Sequence, residues 1–356
     1  MIATHDFKLS GTALPKNAIG MLDEICEHFV EHSDVQRNGN LALLKSDMGS
    51  ADIRAVDDKL TIDLTCVSPE ALQLTRTMLA EHLFYFAGDE PFELTWSEPP
   101  PPTAPANLRE MTVVSSEEVT PRMRRVKFFC DDVTPFIGGD MHARLVVPKR
   151  GRAPVWPGIR DDGRLAWPKG DDALLVRTYT IRAVDVERRE LWIDFLQHPA
   201  PGVATPGADF ALDARPGDTV ALLGPGGGDL PQAASILMVG DETALPAIAR
   251  IAADAAPGTR MRAIIEVHDA QEEQSLATKG DLEVEWVHRS AAPAGSPTLA
   301  ERAIKAIGPS SADTYIWVAC EKADVRAVRK FMKSQQTGWK HKYVAWYWER
   351  GVAEPV

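Results

Sequence analysis

Apolar and polar positions along the chain keep three successive rhythms. From Asn17 to His32 the apolar side chains Ile19, Leu22, Ile25, Cys26 and Phe29 recur at helical spacing, and Ser68-Pro69 opens a second helix carrying Leu72, Leu79, Leu83 and Phe86. Leu60, Ile62, Leu64 and Cys66, then Phe92, Leu94 and Trp96, alternate with polar neighbours, which predicts strands with one buried and one wet face. Residues 1–97 therefore read as a small α+β domain. The run Ser97-Glu-Pro-Pro-Pro-Pro-Thr-Ala-Pro105 fixes φ and removes amide donors, so 98–106 is expected to be an extended linker between cores that fold separately.

The second rhythm is a series of short apolar runs broken by Gly and Pro: Met111–Val114, Val126–Phe129, Arg144–Val147, Leu174–Ile181, Leu191–Leu196 and Thr219–Leu223. No long helix separates them, which predicts a six-stranded antiparallel β-barrel over 107–230. In the third, strands at Ser235–Gly240, Met261–Val267, Val284–His288, Thr314–Ala319 and Tyr343–Trp348 alternate with helical patterns at Asp241–Ile251, Thr298–Ile307 and Ala323–Met332. Alternation of this kind predicts a C-terminal α/β parallel-sheet domain over 231–356. Gly224-Pro-Gly-Gly-Gly228 precedes the first of these strands and reads as an interdomain hinge, not a phosphate loop.

Composition narrows the class of protein. With 356 residues, 44% of them hydrophobic, the chain is long enough for several cores, and a net charge of −12 argues against nucleic-acid or anionic-membrane partners. Cys26, Cys66, Cys130 and Cys320 are scattered without a CxxC pair, so no metal site is expected and the thiols read as reduced core residues. His28, His32 and His82 lack partners at ligand spacing and are assigned no site. The opening Met-Ile-Ala-Thr-His-Asp has no export-signal pattern and no apolar run approaches a membrane span, so the expected compartment is the cytoplasm.

Leu174-Leu-Val-Arg-Thr-Tyr-Thr-Ile-Arg182 carries the most chemistry. On a strand, Arg177, Tyr179 and Ile181 share one face and Thr178, Thr180 and Arg182 the other. An Arg fork grips phosphate oxygens, a Tyr lies flat on an isoalloxazine and a Thr hydroxyl reaches a ring nitrogen. An ordinary barrel strand with two surface arginines would carry the same letters. Downstream, Thr205-Pro206 starts a helix whose N-terminus, beside Gly202, would attract a pyrophosphate, although a plain connecting turn accounts for that segment equally well. In the last third, Gly240, Asp241, Glu242, Thr243 and Ala244 end a buried strand and open a helix, where parallel sheets bind nucleotides.

Taken together, Arg177-Thr-Tyr-Thr-Ile-Arg182, Asp194-Phe-Leu-Gln-His198, Gly240-Asp-Glu-Thr-Ala-Leu-Pro-Ala-Ile248 and the closing Tyr347-Trp348-Glu349-Arg350-Gly351 resemble the siderophore-interacting flavoprotein family, from about Leu108 onward. The family has a ferredoxin-reductase-like layout. The resemblance implies that the barrel binds FAD through Arg177, Thr178, Tyr179, Thr180, Asp194, Gln197, His198, Gly202, Ala204 and Thr205. It implies also that the C-terminal domain receives NADPH or NADH, or meets a ferredoxin, and that a ferric siderophore is the substrate. Asp140-Met-His-Ala-Arg-Leu-Val-Val-Pro148 is similar to the family's Asp-x-His-x-Lys-Leu-x-x-Pro, with Arg144 in place of Lys, which makes His142, Arg144, Arg182 and Arg350 candidate substrate contacts. Val-Ala-Thr205-Pro206 and Glu349 depart from the family pattern. The residues before the linker resemble a small bacterial domain of unassigned function, found alone or beside flavoproteins. A general NAD(P)H:flavin reductase and a non-catalytic siderophore carrier are the alternatives, which turnover of iron chelates would separate.

Overall fold

The computed structural model describes residues 6–29, 33–101, 103–197, 205–293, 295–335, 338–339 and 341–351. The chain forms two compact units, 1–108 with 149–174, and 109–148 with 175–356.

In the first unit, β1 (Phe7–Leu14), α1 (Ala18–Phe29), β2 (Asp34–Asn38), β3 (Leu41–Ser46), β4 (Gly49–Val56), β5 (Lys59–Cys66), α2 (Pro69–Ala87) and β6 (Glu93–Trp96) build an antiparallel sheet of order β2-β3-β4-β5-β1-β6 with both helices packed on it. Ser68 caps α2 by accepting from the Ala71 amide, as the Ser-Pro pair predicts. β1 to β4 add four strands to the two read from sequence. Residues 149–174 belong to this unit, with a short hairpin of β10 (Gly158–Ile159) and β11 (Leu165–Ala166). The hairpin tip is held by three contacts: Trp96 Nε1 donates to Asp162 O at 2.9 Å, the Leu165 amide donates to Glu81 at 2.8 Å, and the Arg164 guanidinium lies 3.3 Å from the centre of the Phe84 ring. Between them sits Gly163 at φ +92°, where a Cβ would meet Trp96 and Arg76.

In the second unit, β7 (Leu108–Thr120), β8 (Met123–Cys130), β9 (His142–Val147), β12 (Leu175–Asp185), β13 (Glu190–Leu196) and β14 (Thr219–Leu223) close the six-stranded barrel in the order β12-β13-β8-β7-β14-β9. Phe128, Phe136, Ile181, Ile193 and Phe195 fill it, and α3 (Pro206–Asp213) packs Ala211 against that core. The barrel runs on into β15 (Ser235–Gly240), α4 (Leu245–Asp254), β16 (Arg260–Val267), β17 (Asp281–His288), α5 (Leu299–Ile307), β18 (Tyr315–Glu321), α6 (Lys322–Ser334) and β19 (Lys342–Trp348). Their sheet is parallel throughout, in the order β17-β16-β15-β18-β19, with α4 on one face and α5 and α6 on the other. Among the described residues no helix is long and apolar enough to cross a membrane.

Candidate functional site

β12 lies between β13 and β9, and its alternation follows the sequence expectation: Ile181 is in the barrel core, Tyr179 packs against it with its ring 4.4 Å from that of Phe195, and Thr178 is exposed. Gly207 explains how the strand meets α3. A Cβ there would lie 1.8 Å from the Tyr179 hydroxyl, so only glycine lets the strand's tyrosine touch the first turn of that helix. Arg177, Thr178 and Tyr179 follow one another on this strand and Tyr179 reaches the helix N-terminus, a set of cationic, hydroxyl and aromatic groups whose chemistry fits FAD. Thr205 sits at the N-cap position, but its hydroxyl donates to Asp209 at 3.0 Å and does not accept from a helix amide. Any pyrophosphate held at this turn would meet the Asp209 carboxylate already in place. His198, Gly202 and Ala204, which the sequence also assigned to the flavin, lie outside the described residues, as do His32 and Lys340.

Asp194 and Gln197 have other occupations. Asp194 is buried and takes both donors of the Arg125 fork, at 2.6 and 2.8 Å, with Arg182 Nε 3.9 Å away. Gln197 bonds Phe195 O and, through its amide, Arg122 O. Arg182 is thus drawn to an internal carboxylate.

The second half of the site is the seam between barrel and parallel sheet. Thr180 pairs across the strands with His142, and Thr178 with Arg144, so the Asp-x-His-x-Arg segment lies directly beside β12. His142 is only 8% exposed, and the hinge folds around it: the Met141 and His142 amides donate to Gly227 O, while Gly228 leaves room for the imidazole, whose Nδ1 a Cβ would meet at 2.3 Å. Its Nε2 is 2.8 Å from the Tyr347 hydroxyl of β19. Burial draws the His142 pKa down to about 4, against the pull of Asp140, and burial raises that of Tyr347, so both are neutral near pH 7. Beside them Asp229 bridges to Asp140, and the hydrogen bond they share lifts Asp229 to about 6. Arg144 is exposed on the same strand, and Arg350 is exposed after β19. The four candidate substrate residues thus divide into the buried His142, the partly buried Arg182 near Asp194, and two exposed cations.

At the carboxyl ends of the parallel strands, the turn 240–244 is filled from within. A Cβ on Gly240 would lie 2.4 Å from that of Ala244, which is itself fully buried. Asp241 accepts from the Thr243 amide and hydroxyl and from Trp348 Nε1 at 2.7 Å, and its burial raises its pKa. Glu242 takes both arms of Arg289 at 2.6 Å, with Glu266 3.4 Å from the same guanidinium. Only Thr243 is partly exposed. The closing motif therefore ties the site together: Tyr347 to His142, Trp348 to Asp241, Glu349 to Lys322 at 2.5 Å, and the Arg350 amide to Glu321.

Sequence reasoning missed Arg250. It is buried on α4 and donates to Ile181 O at 2.8 Å and Phe136 O at 2.7 Å, so it pins the end of β12 to the parallel-sheet domain. Its signal was a lone charge in the apolar run Leu245–Ala253.

Family models match both the barrel and the parallel-sheet domain. The siderophore-interacting FAD-binding domain matches residues 112–229 and the siderophore-interacting protein model matches 233–351. The chain belongs to the siderophore-interacting protein family. Ahead of these domains, residues 12–97 match DUF2218, an uncharacterised domain conserved in bacteria. Among the family's curated members, ferric vibriobactin reductase ViuB of Vibrio cholerae is 28% identical over 252 residues, 69% of this chain and 91% of the relative. Among solved structures, a siderophore utilization protein from T. fusca is 30% identical with a TM-score of 0.56, over 73% of this chain and 97% of that one. The siderophore-interacting protein SipS from Aeromonas hydrophila is 27% identical with a TM-score of 0.56, over 70% and 94%.

Proposed function

We propose that this chain is an FAD-dependent ferric-siderophore reductase that passes electrons from NADH, NADPH or a reduced ferredoxin to the iron of a siderophore, freeing Fe(II) inside the cell. The observation that carries the reading is the approach of Tyr179 to the first turn of α3, on a strand that also bears Arg177 and pairs with the strand of His142 and Arg144. The ferric-siderophore activity named in ViuB supports the choice of substrate. Bound FAD supplies the exchange between two-electron and one-electron chemistry that iron reduction needs.

The chain's own residues hold and orient. Arg177 would hold the pyrophosphate, and Tyr179, braced by Phe195, would support the ring system. Thr180 and the neutral His142 line the seam without carrying charge. Arg144 is the favoured substrate anchor, because its exposed and permanent charge attracts an anionic ferric chelate that a net charge of −12 would otherwise repel. Arg182 is the weaker candidate, being close to Asp194.

The test is an anaerobic titration of the yellow protein with NADH, NADPH or dithionite, followed by a ferric siderophore and an Fe(II) trap. Bleaching of the flavin and its recovery with stoichiometric Fe(II) is the expected result. A reduced protein that leaves the ferric chelate untouched overturns the reading. Arg144→Glu is expected to raise KM for an anionic chelate and to weaken its salt dependence, with FAD content unchanged.

A further inference from the structure

Charge is unevenly distributed along this chain. Residues 322–350 hold eight Lys and Arg against two Asp and Glu, a net of +6, which leaves −18 for the rest of a chain whose total is −12. α6 accounts for most of it. Val325 and Val328 bury one side of the helix, and Arg326, Lys330 and Lys333, spaced i, i+4, i+7, stand exposed on the other. Among the described residues no carboxylate pairs with these three. Helix-end electrostatics account for Lys333 alone, since that effect fades within the last turn.

The stripe adjoins the sheet's edge strand. Arg329 donates to Val344 O at 3.0 Å, and Lys322 lies 5.0 Å from the ring centre of Trp346, which is 48% exposed. Lys342 and Arg350 are exposed at the two ends of β19. An exposed tryptophan beside Lys322, which Glu349 also pairs, thus shares a face with Arg329 and the α6 cations, and Trp and Arg are enriched among the energetic anchors of protein interfaces. The next residue, Tyr347, turns inward to His142, whose cross-strand neighbour is Thr180 of the flavin strand. One strand thus carries the exposed tryptophan on its outside and the contact to the site on its inside.

We propose that the α6–β19 face is the docking surface for a small acidic electron-carrier protein, which delivers electrons at the edge of the sheet nearest His142. The proposal rests on the flavin reductase reading and names the partner on its donor side. Each docked carrier gives up one electron and one Fe(III) becomes Fe(II), so carrier and iron are consumed one to one. A 13-residue stripe spans about 20 Å, longer than a single iron chelate needs. A nucleic acid is disfavoured because a polyanion extending past the stripe would meet the −18 of the remainder.

The experiment titrates the full-length protein and its Arg326→Glu/Lys330→Glu/Lys333→Glu variant with an oxidised plant-type [2Fe–2S] ferredoxin, and separately with flavodoxin, at low and high salt. Binding is read by thermophoresis, and reduction of the bound flavin by the reduced carrier in stopped flow. The expected result is parent binding that weakens with salt and a variant that loses about tenfold or more in affinity and reduction rate at low salt. FAD content and the rate at which dithionite-reduced protein reduces a ferric chelate stay at parent values. Equal carrier binding by parent and variant, or parent binding indifferent to salt, overturns the proposal. So does a variant whose only changes are in KM for the ferric chelate, which would make the stripe a substrate funnel, or in oligomeric state, which would make it a self-contact. Failure of the dithionite-reduced parent to reduce ferric chelate would sink the reductase reading, while the binding titration still judges the surface.

Discussion

The Tyr347 hydroxyl meets His142 Nε2 at 2.8 Å, joining the last strand of the parallel sheet to a barrel strand 205 residues earlier in the chain. This bond has a pH signature. His142 titrates near 4 in the folded chain and near 6.5 when unfolded, so it is neutral in the fold while the unfolded chain takes up a proton. A depressed pKa contributes stability that is present above 6.5 and lost as pH falls toward 4, and at pH 5 the loss is about 2 kcal/mol. Asp229 and Asp241, whose pKa values are raised, act with the opposite sign, favouring the fold more strongly as acid is added. Urea unfolding of parent and His142→Gln at pH 7 and pH 5 isolates the histidine, and the parent is expected to lose about 2 kcal/mol more than the variant. Equal losses would mean that His142 is hydrated.

Arg177→Ala tests the flavin end of the seam. Loss of charge-assisted bonds to phosphate, each worth about 1.5–3 kcal/mol, is expected to yield protein that purifies largely without yellow colour, while far-UV circular dichroism stays that of the parent. Full FAD occupancy would move the pyrophosphate elsewhere.

If the 240–244 turn receives the nucleotide, it is expected to discriminate little in favour of NADPH. Arg289 is the cation nearest the turn in the hydrogen-bond network, and it is committed to Glu242 and Glu266, so a 2′-phosphate finds a compensated guanidinium among carboxylates. Reduction by NADH at a rate equal to or above that by NADPH is the expected stopped-flow result. Glu242→Gln should shift the ratio toward NADPH by loosening Arg289. A parent preference of about tenfold for NADPH, 1.4 kcal/mol, would refute this assignment. Ala244 cannot serve as a probe of the donor: it is fully buried against Gly240, so Ala244→Leu is expected to cost about 1–3 kcal/mol of stability.

The proline linker suggests a clean cut, but the hairpin at 158–166 argues otherwise. A chain beginning at Ala106 would strip Asp162, Arg164 and Leu165 of their partners Trp96, Phe84 and Glu81. Its soluble yield is expected to fall well below that of the full chain, and Leu165→Glu is expected to restore part of it. Equal yields would show that the hairpin is content in water.

Barrel and parallel sheet were legible because their strands keep a period of two or run apolar between turn residues, and α2 because Ser68 caps it. Four strands of the first domain were not, since β2 is polar on most of its length and β1 begins within a few residues of the chain start. The placement of Arg177 and Tyr179 on one strand was legible because their motif is local. The site was illegible where partners come from far away. Nothing near Asp241 announces Trp348, nothing near Asp194 announces Arg125, and Arg250 looks like a helix surface charge until the barrel covers it. Residues 149–174 were assigned to the barrel by continuity, and only the contacts of Gly163 and Arg164 reveal that they pack with the first domain.

The Tyr347–His142 bond also sets an order in time. A ribosome adding about 5–20 residues per second reaches Tyr347 roughly 10–40 s after His142, and until then the imidazole lacks the partner that neutralises its burial. Through that interval the barrel's flank stays open to water. The seam closes long after the barrel strand has been made, and a cofactor that enters from that side has its widest access while the protein is still being made.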